Sequence, residues 1–198
     1  MSSQPQPQPS AVEPPRRRLT TRQAAVVQRL ADATGREIRT KGYEGLTVRN
    51  VAARAGVAAA TAYTYFASKD HLIAEVFWSR LRALPEPRIE RRRAPAARVR
   101  VAFGTVTSFL ASEPALAAAT TTALLAADPD VKHLRDRIGA EIRRRLAAAL
   151  GDEHDPEVLG ALELAVGGAM LQAGMGHMTY EELPDRIAGV AALLLRGR

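Results

Sequence analysis

The stretch from Thr61 to Asp70 reads TAYTYFASKD, and it concentrates two tyrosines, a phenylalanine and a lysine in a chain with only nine aromatic residues. Just ahead lie Ala59 and Ala60, and with Thr61 and Thr64 they form a run of small or hydroxyl-bearing side chains. Small residues let a backbone approach a partner closely, and hydroxyls both donate and accept hydrogen bonds. Such a run suits the reading of a hydrogen-bonding surface.

The elements that carry these residues can be read from apolar spacing. Val27, Leu30, Ala31, Thr34 and Ile38 recur at the 3-4 interval of an amphipathic helix over residues 23–41, and Gly42 stands at its C-terminal position. Tyr43 and Leu46 then fold back toward the same face. A second helix runs from an N-cap at Thr47 to Gly56, with Val48, Val51 and Ala52 as its apolar side. The third spans residues 58–66, and a fourth, capped by Ser68 with Asp70 in its first turn, continues until Pro85 and Pro87 stop it. Two short helices around a glycine turn make a helix-turn-helix over residues 47–66, and Ala59, Ala60, Thr61 and Thr64 fit the surface that such a unit places in a major groove.

The rest of the chain is all-α by the same reading. A proline-flanked charge run, residues 85–95, separates the head from helices expected at 96–111, 114–127, 129–150, 156–178 and 181–196, which Pro114, Pro129, Gly151, Pro156 and Pro184 punctuate. The organisation expected is a Pro/Gln-rich and basic arm over residues 1–21, a DNA-binding domain over 22–84, the linker, and a helical bundle over 96–198.

Charge is segregated along the chain. Residues 1–100 hold 19 lysines and arginines against 8 acidic residues, whereas residues 101–198 hold 9 against 13, so the basic half is the one suited to a polyanion. The absence of cysteine excludes disulfides and thiolate metal sites and fits a cytoplasmic location, as does a start, MSSQPQPQPS, without the apolar segment of a secretory signal. The longest uncharged run, residues 164–180, contains Gln172, His177 and four glycines and makes a poor bilayer span. No Gly-rich phosphate loop, nucleophile elbow or carboxylate pair points to an enzyme, and no cofactor is expected. His133, His154 and Asp155 do not make a metal motif, because GDEHDP reads as a connecting loop with capping carboxylates.

The segment TVRNVAARAGVAAATAYTYFASKDHLI, with KGYEGLT leading into it, resembles the DNA-binding segment of the TetR/AcrR family of bacterial transcriptional regulators over roughly residues 24–84. Two departures are Ala58, where the family often has a capping serine, and Ala62 in place of a larger aliphatic. The resemblance implies that Thr47 and Arg49 open the first helix of the motif against phosphate and base edge. It implies that Thr61, Tyr63, Thr64 and Tyr65 face DNA, with Lys69 as a phosphate clamp. A tyrosine can do this because its ring packs while its hydroxyl reaches out, and which of the two packs stays open. Arg16, Arg17, Arg18 and Arg22 either follow the DNA backbone or minor groove or form a solvated tail. Phe66 belongs to the core with Leu72 and Ile73.

For the C-terminal half the resemblance implies a small-molecule pocket and a homodimer through the last two helices. The small residues of LGALELAVGGAMLQAGMGHM and the apolar RIAGVAALLL are compatible with such an interface. Pocket candidates that mix apolar walls with polar groups are Phe103, Thr107, Phe109, Thr121, Leu125, Met170, Met175 and His177. The expected function is a ligand-responsive repressor released from a palindromic operator by a small apolar effector. An effector-independent architectural DNA-binding protein and a helical enzyme with an acidic substrate are the alternatives.

Overall fold

The computed structural model describes residues 20–196, and among them there are helices and connections but no strand. The helices are α1 (Thr21–Gly45), α2 (Val48–Ala55), α3 (Ala59–Tyr63), α4 (Lys69–Ala83), α5 (Pro95–Ser112), α6 (Pro114–Leu124), α7 (Pro129–Leu150), α8 (Pro156–Gly174) and α9 (Leu183–Leu194).

Local chemistry sets most of these limits. Thr20 and Gln23 exchange side-chain and backbone hydrogen bonds in a capping box, which starts α1 earlier than its apolar stripe alone predicts. Gly42 takes φ 66°, interrupting α1 and turning Tyr43 back toward the core. Thr47 Oγ1 accepts from the Asn50 amide at 3.1 Å to begin α2, and Gly56, left-handed at φ 64° and ψ 38°, ends it. Ser68 opens α4 by accepting from the His71 amide at 3.0 Å. Helices α5 to α9 each carry proline in the first turn, where its missing N–H costs nothing.

Four helices are shorter than their sequence pattern predicts: α3, α8, α6, which ends at Leu124 rather than 127, and α9, which runs from Leu183 to Leu194 rather than over 181–196. In α3, Ala58 supplies no side-chain cap, and the amides of Thr64 and Tyr65 bond to the carbonyls of Thr61 and Ala62, three residues back, so the helix tightens and stops at Tyr63. Helix α8 ends at Gly174 rather than 178, its end closed by the His177 amide on the Gln172 carbonyl at 2.9 Å.

Two hydrophobic cores result. The first gathers Leu30, Ile38, Leu46, Val51, Ala52, Phe66, Leu72 and Ile73 from α1–α4, and it also takes in Leu116, Ala119 and Ala123 from α6. The second joins Phe77 and Leu81 of α4 to Phe103, Val106, Leu110, Leu146, Leu159, Leu162 and Ile187. Each large side chain buried this way contributes about 1.5–3 kcal/mol. The head is therefore not closed at residues 85–95, because α4 serves both cores and α6 returns from the bundle to complete the head. Phe109 packs against both, its ring 5.9 Å from that of Phe77. Among the described residues no single helix is long and apolar enough to cross a membrane.

Candidate nucleic-acid interface

Ala62 is fully buried and pins α3 to the head core through its smallest possible side chain. That contact turns Ala60, Thr61 and Thr64 outward and leaves Ala59 half-buried at the helix start. The two tyrosines part company here. Tyr63 is 49% exposed, whereas Tyr65 is half-buried against the head core, next to the buried Phe66. Thr64 donates its hydroxyl to the Thr61 carbonyl at 2.7 Å, so its oxygen keeps only acceptor capacity toward a partner. Thr47 is the opposite case: its oxygen is occupied by the Asn50 amide and its O–H is free to donate. Arg49 is exposed on the first turn of α2, and Arg22 on the first turn of α1. Arg16, Arg17 and Arg18 lie outside the described residues.

Lys69 is more constrained than a lysine at a helix start need be. Its ammonium sits 3.9 Å from the centre of the Tyr43 ring and donates to the Tyr43 carbonyl at 3.3 Å. The Tyr43 hydroxyl in turn donates to Asp70 Oδ1 at 2.7 Å. Burial and the Asp70 carboxylate push the Tyr43 phenol up to about 12. The end of α1 and the start of α4 are thereby locked together, and Lys69 keeps two of its three N–H donors for a phosphate.

Sequence reasoning missed a buried acid behind this face. Glu37 on α1 is enclosed by the head and forms ion pairs with Arg54 at the end of α2 and, at 3.0 Å, with Lys41. The Arg54 hydrogen bond, helped by Lys41, holds its carboxyl below the usual carboxylate range against the opposing effect of burial. The signal was Glu37 standing beside Ile38 on the apolar stripe of α1. A charge so placed needs partners from another element.

Behind the head, α4–α8 line a cavity of about 370 Å³ that opens to solvent, where its lining residues Leu125 and Arg135 are exposed. Of the pocket candidates, Thr121, Leu125 and Met170 line it together. Phe103 is fully buried in the bundle core, Thr107 is buried with its hydroxyl on the Phe103 carbonyl at 3.0 Å, and Phe109 lies between the two cores. None of these three is on the cavity wall, and Met175 and His177 are exposed beyond the end of α8. Lining residues that the sequence reading did not select include Ala117, Thr120 and Leu124 on α6, Ile138 and Ile142 on α7, and Val166 on α8. The α6 set was available as a helical stripe, since 117, 120, 121 and 124 share one face.

His154 bonds to the Gly151 carbonyl and Asp155 caps α8 by accepting from the Glu157 amide at 2.7 Å. Among the described residues no three His, Asp or Glu side chains come together as a metal site.

These features can be set beside known proteins. Residues 30–76 match the family model described as bacterial regulatory proteins, tetR family. Over 178 residues, 89% of this chain and 83% of the other, the protein is 47% identical to an uncharacterized HTH-type transcriptional regulator of Mycobacterium tuberculosis H37Rv. It is 32% identical over 136 residues to the HTH-type transcriptional repressor KstR of Rhodococcus jostii RHA1, a match that spans 66% of this chain and 62% of that one. In three dimensions it superposes on the crystal structure of a TetR transcriptional regulator from Rhodococcus sp. RHA1 with a TM-score of 0.71 at 23% identity, covering 89% of this chain and 98% of the other. Motif, helix order and near full-length likeness agree, and the chain belongs to the TetR family of bacterial transcriptional regulators.

Proposed function

We propose that the protein acts as a homodimeric repressor, binding a palindromic operator through α2, α3 and the start of α4, and leaving it when a small apolar effector enters the cavity. The observation that carries this reading is the double role of α6. Its residues Leu116, Ala119 and Ala123 are built into the head core, while Ala117, Thr120, Thr121 and Leu124 form a wall of the cavity. A helix shared in this way cannot shift to fit a ligand without moving against the head. An effector that prefers the shifted arrangement lowers DNA affinity by the difference in its binding to the two states. The similarity to a named repressor supports the direction of the response.

On the DNA side, Thr61, Tyr63 and Thr64 with Arg49 read the major groove, and Thr47, Tyr65 and Lys69 hold phosphates, with Arg22 and the basic arm beside them. Ala59 and Ala60 offer methyl contacts only, so DNA shape supplies a large part of the specificity.

The dimer is supported by what α8 and α9 leave uncovered. Leu164 is 81% and Leu193 62% exposed, and Leu171 and Met175 continue the α8 stripe. No atom lies within 4 Å of where a side chain would begin at Gly167, Gly168 or Gly189, which leaves room for a second backbone to approach. The test is footprinting on the DNA flanking the protein's own gene, with sedimentation of wild type and of Leu164→Arg/Leu193→Arg. One protected palindrome and a dimer that the double variant dissociates are expected. Uniform coverage of DNA points instead to an architectural role and overturns the proposal.

A further inference from the structure

The cavity wall contains four polar residues, and three of them are already engaged. Thr121 donates to the Ala117 carbonyl at 3.2 Å and interacts with the Tyr180 phenol. Arg135 donates to the Ala126 carbonyl at 2.8 Å, and Glu163 is paired with Arg143. The fourth, Thr120, is different. It is only 3% exposed, and its hydroxyl has no hydrogen-bond partner. A threonine inside a helix ordinarily satisfies itself on the carbonyl three or four residues back, as Thr107 and Thr121 do here. A buried hydroxyl left unmatched is costly, so a group that meets it gains more than the same contact would at the surface.

Resting on the reading of this cavity as the effector site, we propose that Thr120 is the residue that selects the effector, and that the effector is an uncharged molecule with an apolar body and one hydrogen-bonding oxygen, an alcohol or a ketone. The apolar body is set by the neighbours of Thr120, namely Ala117, Leu124, Ile138, Ile142, Val166 and Met170. The oxygen follows from the hydroxyl, which serves a carbonyl as donor and an alcohol as either partner. The lack of charge follows from where Thr120 lies: it is 3% exposed among apolar side chains, whereas Arg135, which keeps its charge and four of its five N–H donors, stands exposed to solvent, and Glu163 is paired with Arg143. A carboxylate beside Thr120 would be desolvated with one neutral donor for compensation. The volume, about 370 Å³, lies near the lower end of the about 300–1,000 Å³ typical of ligand sites and suits a compact molecule.

The test uses the full-length protein and a matched set of probes, undecane, 2-undecanone and undecanoate, each displacing the hydrocarbon dye diphenylhexatriene. Wild type is expected to bind the ketone about three- to tenfold more tightly than the alkane, the value of one net hydrogen bond, and more tightly than undecanoate. The isosteric Thr120→Val should abolish the preference for the ketone while leaving the alkane unchanged. Thr120→Ser should restore it. Equal binding of ketone and alkane to wild type, or a preference that survives Thr120→Val, overturns the selection by Thr120 but leaves the cavity as a ligand site. Tighter binding of undecanoate overturns the uncharged class. Failure of the dye and every probe to bind removes the effector reading along with this one.

Discussion

The Ser68 hydroxyl donates to Asp128 Oδ2 at 2.7 Å, joining two residues 60 positions apart, each of which caps a helix. Ser68 opens α4 by accepting from His71, and Asp128 opens α7 by accepting from the Asp130 amide at 2.8 Å. The start of α4, where Lys69, the proposed phosphate contact, sits, is therefore fastened to the connection between α6 and α7 beside the cavity residue Leu125. Ser68→Ala removes the cap and the bridge together and should cost about 1–2 kcal/mol in chemical denaturation. A double-mutant cycle with Asp128→Ala should return a coupling of about 0.5–1.5 kcal/mol, and strict additivity would show that the bridge contributes nothing.

Acid should weaken the protein through its paired carboxylates, Glu37 and Asp128 among them. Arg54 and Lys41 hold the Glu37 carboxyl low, and the Ser68 hydroxyl, with the Asp130 and Val131 amides, does the same for Asp128. A carboxyl lowered in the folded state contributes stability that is fully present above its unfolded value, about 4 for either type, and is lost as pH falls through the lowered value. Thermal melts should lose stability steadily below about pH 4. Glu37→Gln should cost about 1–3 kcal/mol at neutral pH and should flatten that acid limb. An unchanged limb in the variant would remove Glu37 from the account.

Tyr43 and Lys69 separate packing from DNA contact. The Tyr43 phenol, raised to about 12, contributes stability that is complete below the ordinary phenol value of about 10 and is lost as pH rises through the raised one. Alkaline absorbance titration of Tyr43→Phe should lack this late-ionising component. Lys69→Ala should weaken DNA binding and reduce its salt dependence by about one phosphate contact. An unaltered salt slope would leave Lys69 as a clamp on Tyr43 alone.

Gly174 and Thr121 make α8 and α6 interlock. A methyl group at Gly174 would fall on the Thr121 side chain, nearer than ordinary contact allows to three of its atoms. Gly174→Ala should destabilise by about 1–3 kcal/mol, and Thr121→Ala in the same chain should recover most of that loss. Since Thr121 lines the cavity, the single variant should also change probe affinity there. Recovery of stability without any effect on binding would separate the two roles.

Much of the head was legible because its signals are local. The capping hydroxyls of Thr47 and Ser68, the left-handed Gly56 and the apolar spacing of α1 each act within one or two turns. So the order of the elements follows from neighbours in the chain, whereas the exposure of Thr61 and Thr64 depends on Ala62 packing into the head core. The C-terminal candidates fared differently. Thr121, Leu125 and Met170 share the cavity wall, but Phe103 and Thr107 had the same apolar and hydroxyl character and lie in the core. Side-chain type cannot say which face of a helix meets a void and which meets another helix.

The sequence by itself determined an all-helical chain, a helix-turn-helix over residues 47–66 and the proline and glycine stops between helices, because caps, turns and amphipathic stripes are written in residues a few positions apart. Only the tertiary structure decided that Tyr65 packs while Tyr63 stands clear, that Glu37 is enclosed by Arg54, and that α6 divides its faces between head and cavity. These depend on burial and pairing between residues far apart in the chain. In an aromatic-poor protein, the cluster at residues 61–70 is read by what encloses each ring and hydroxyl.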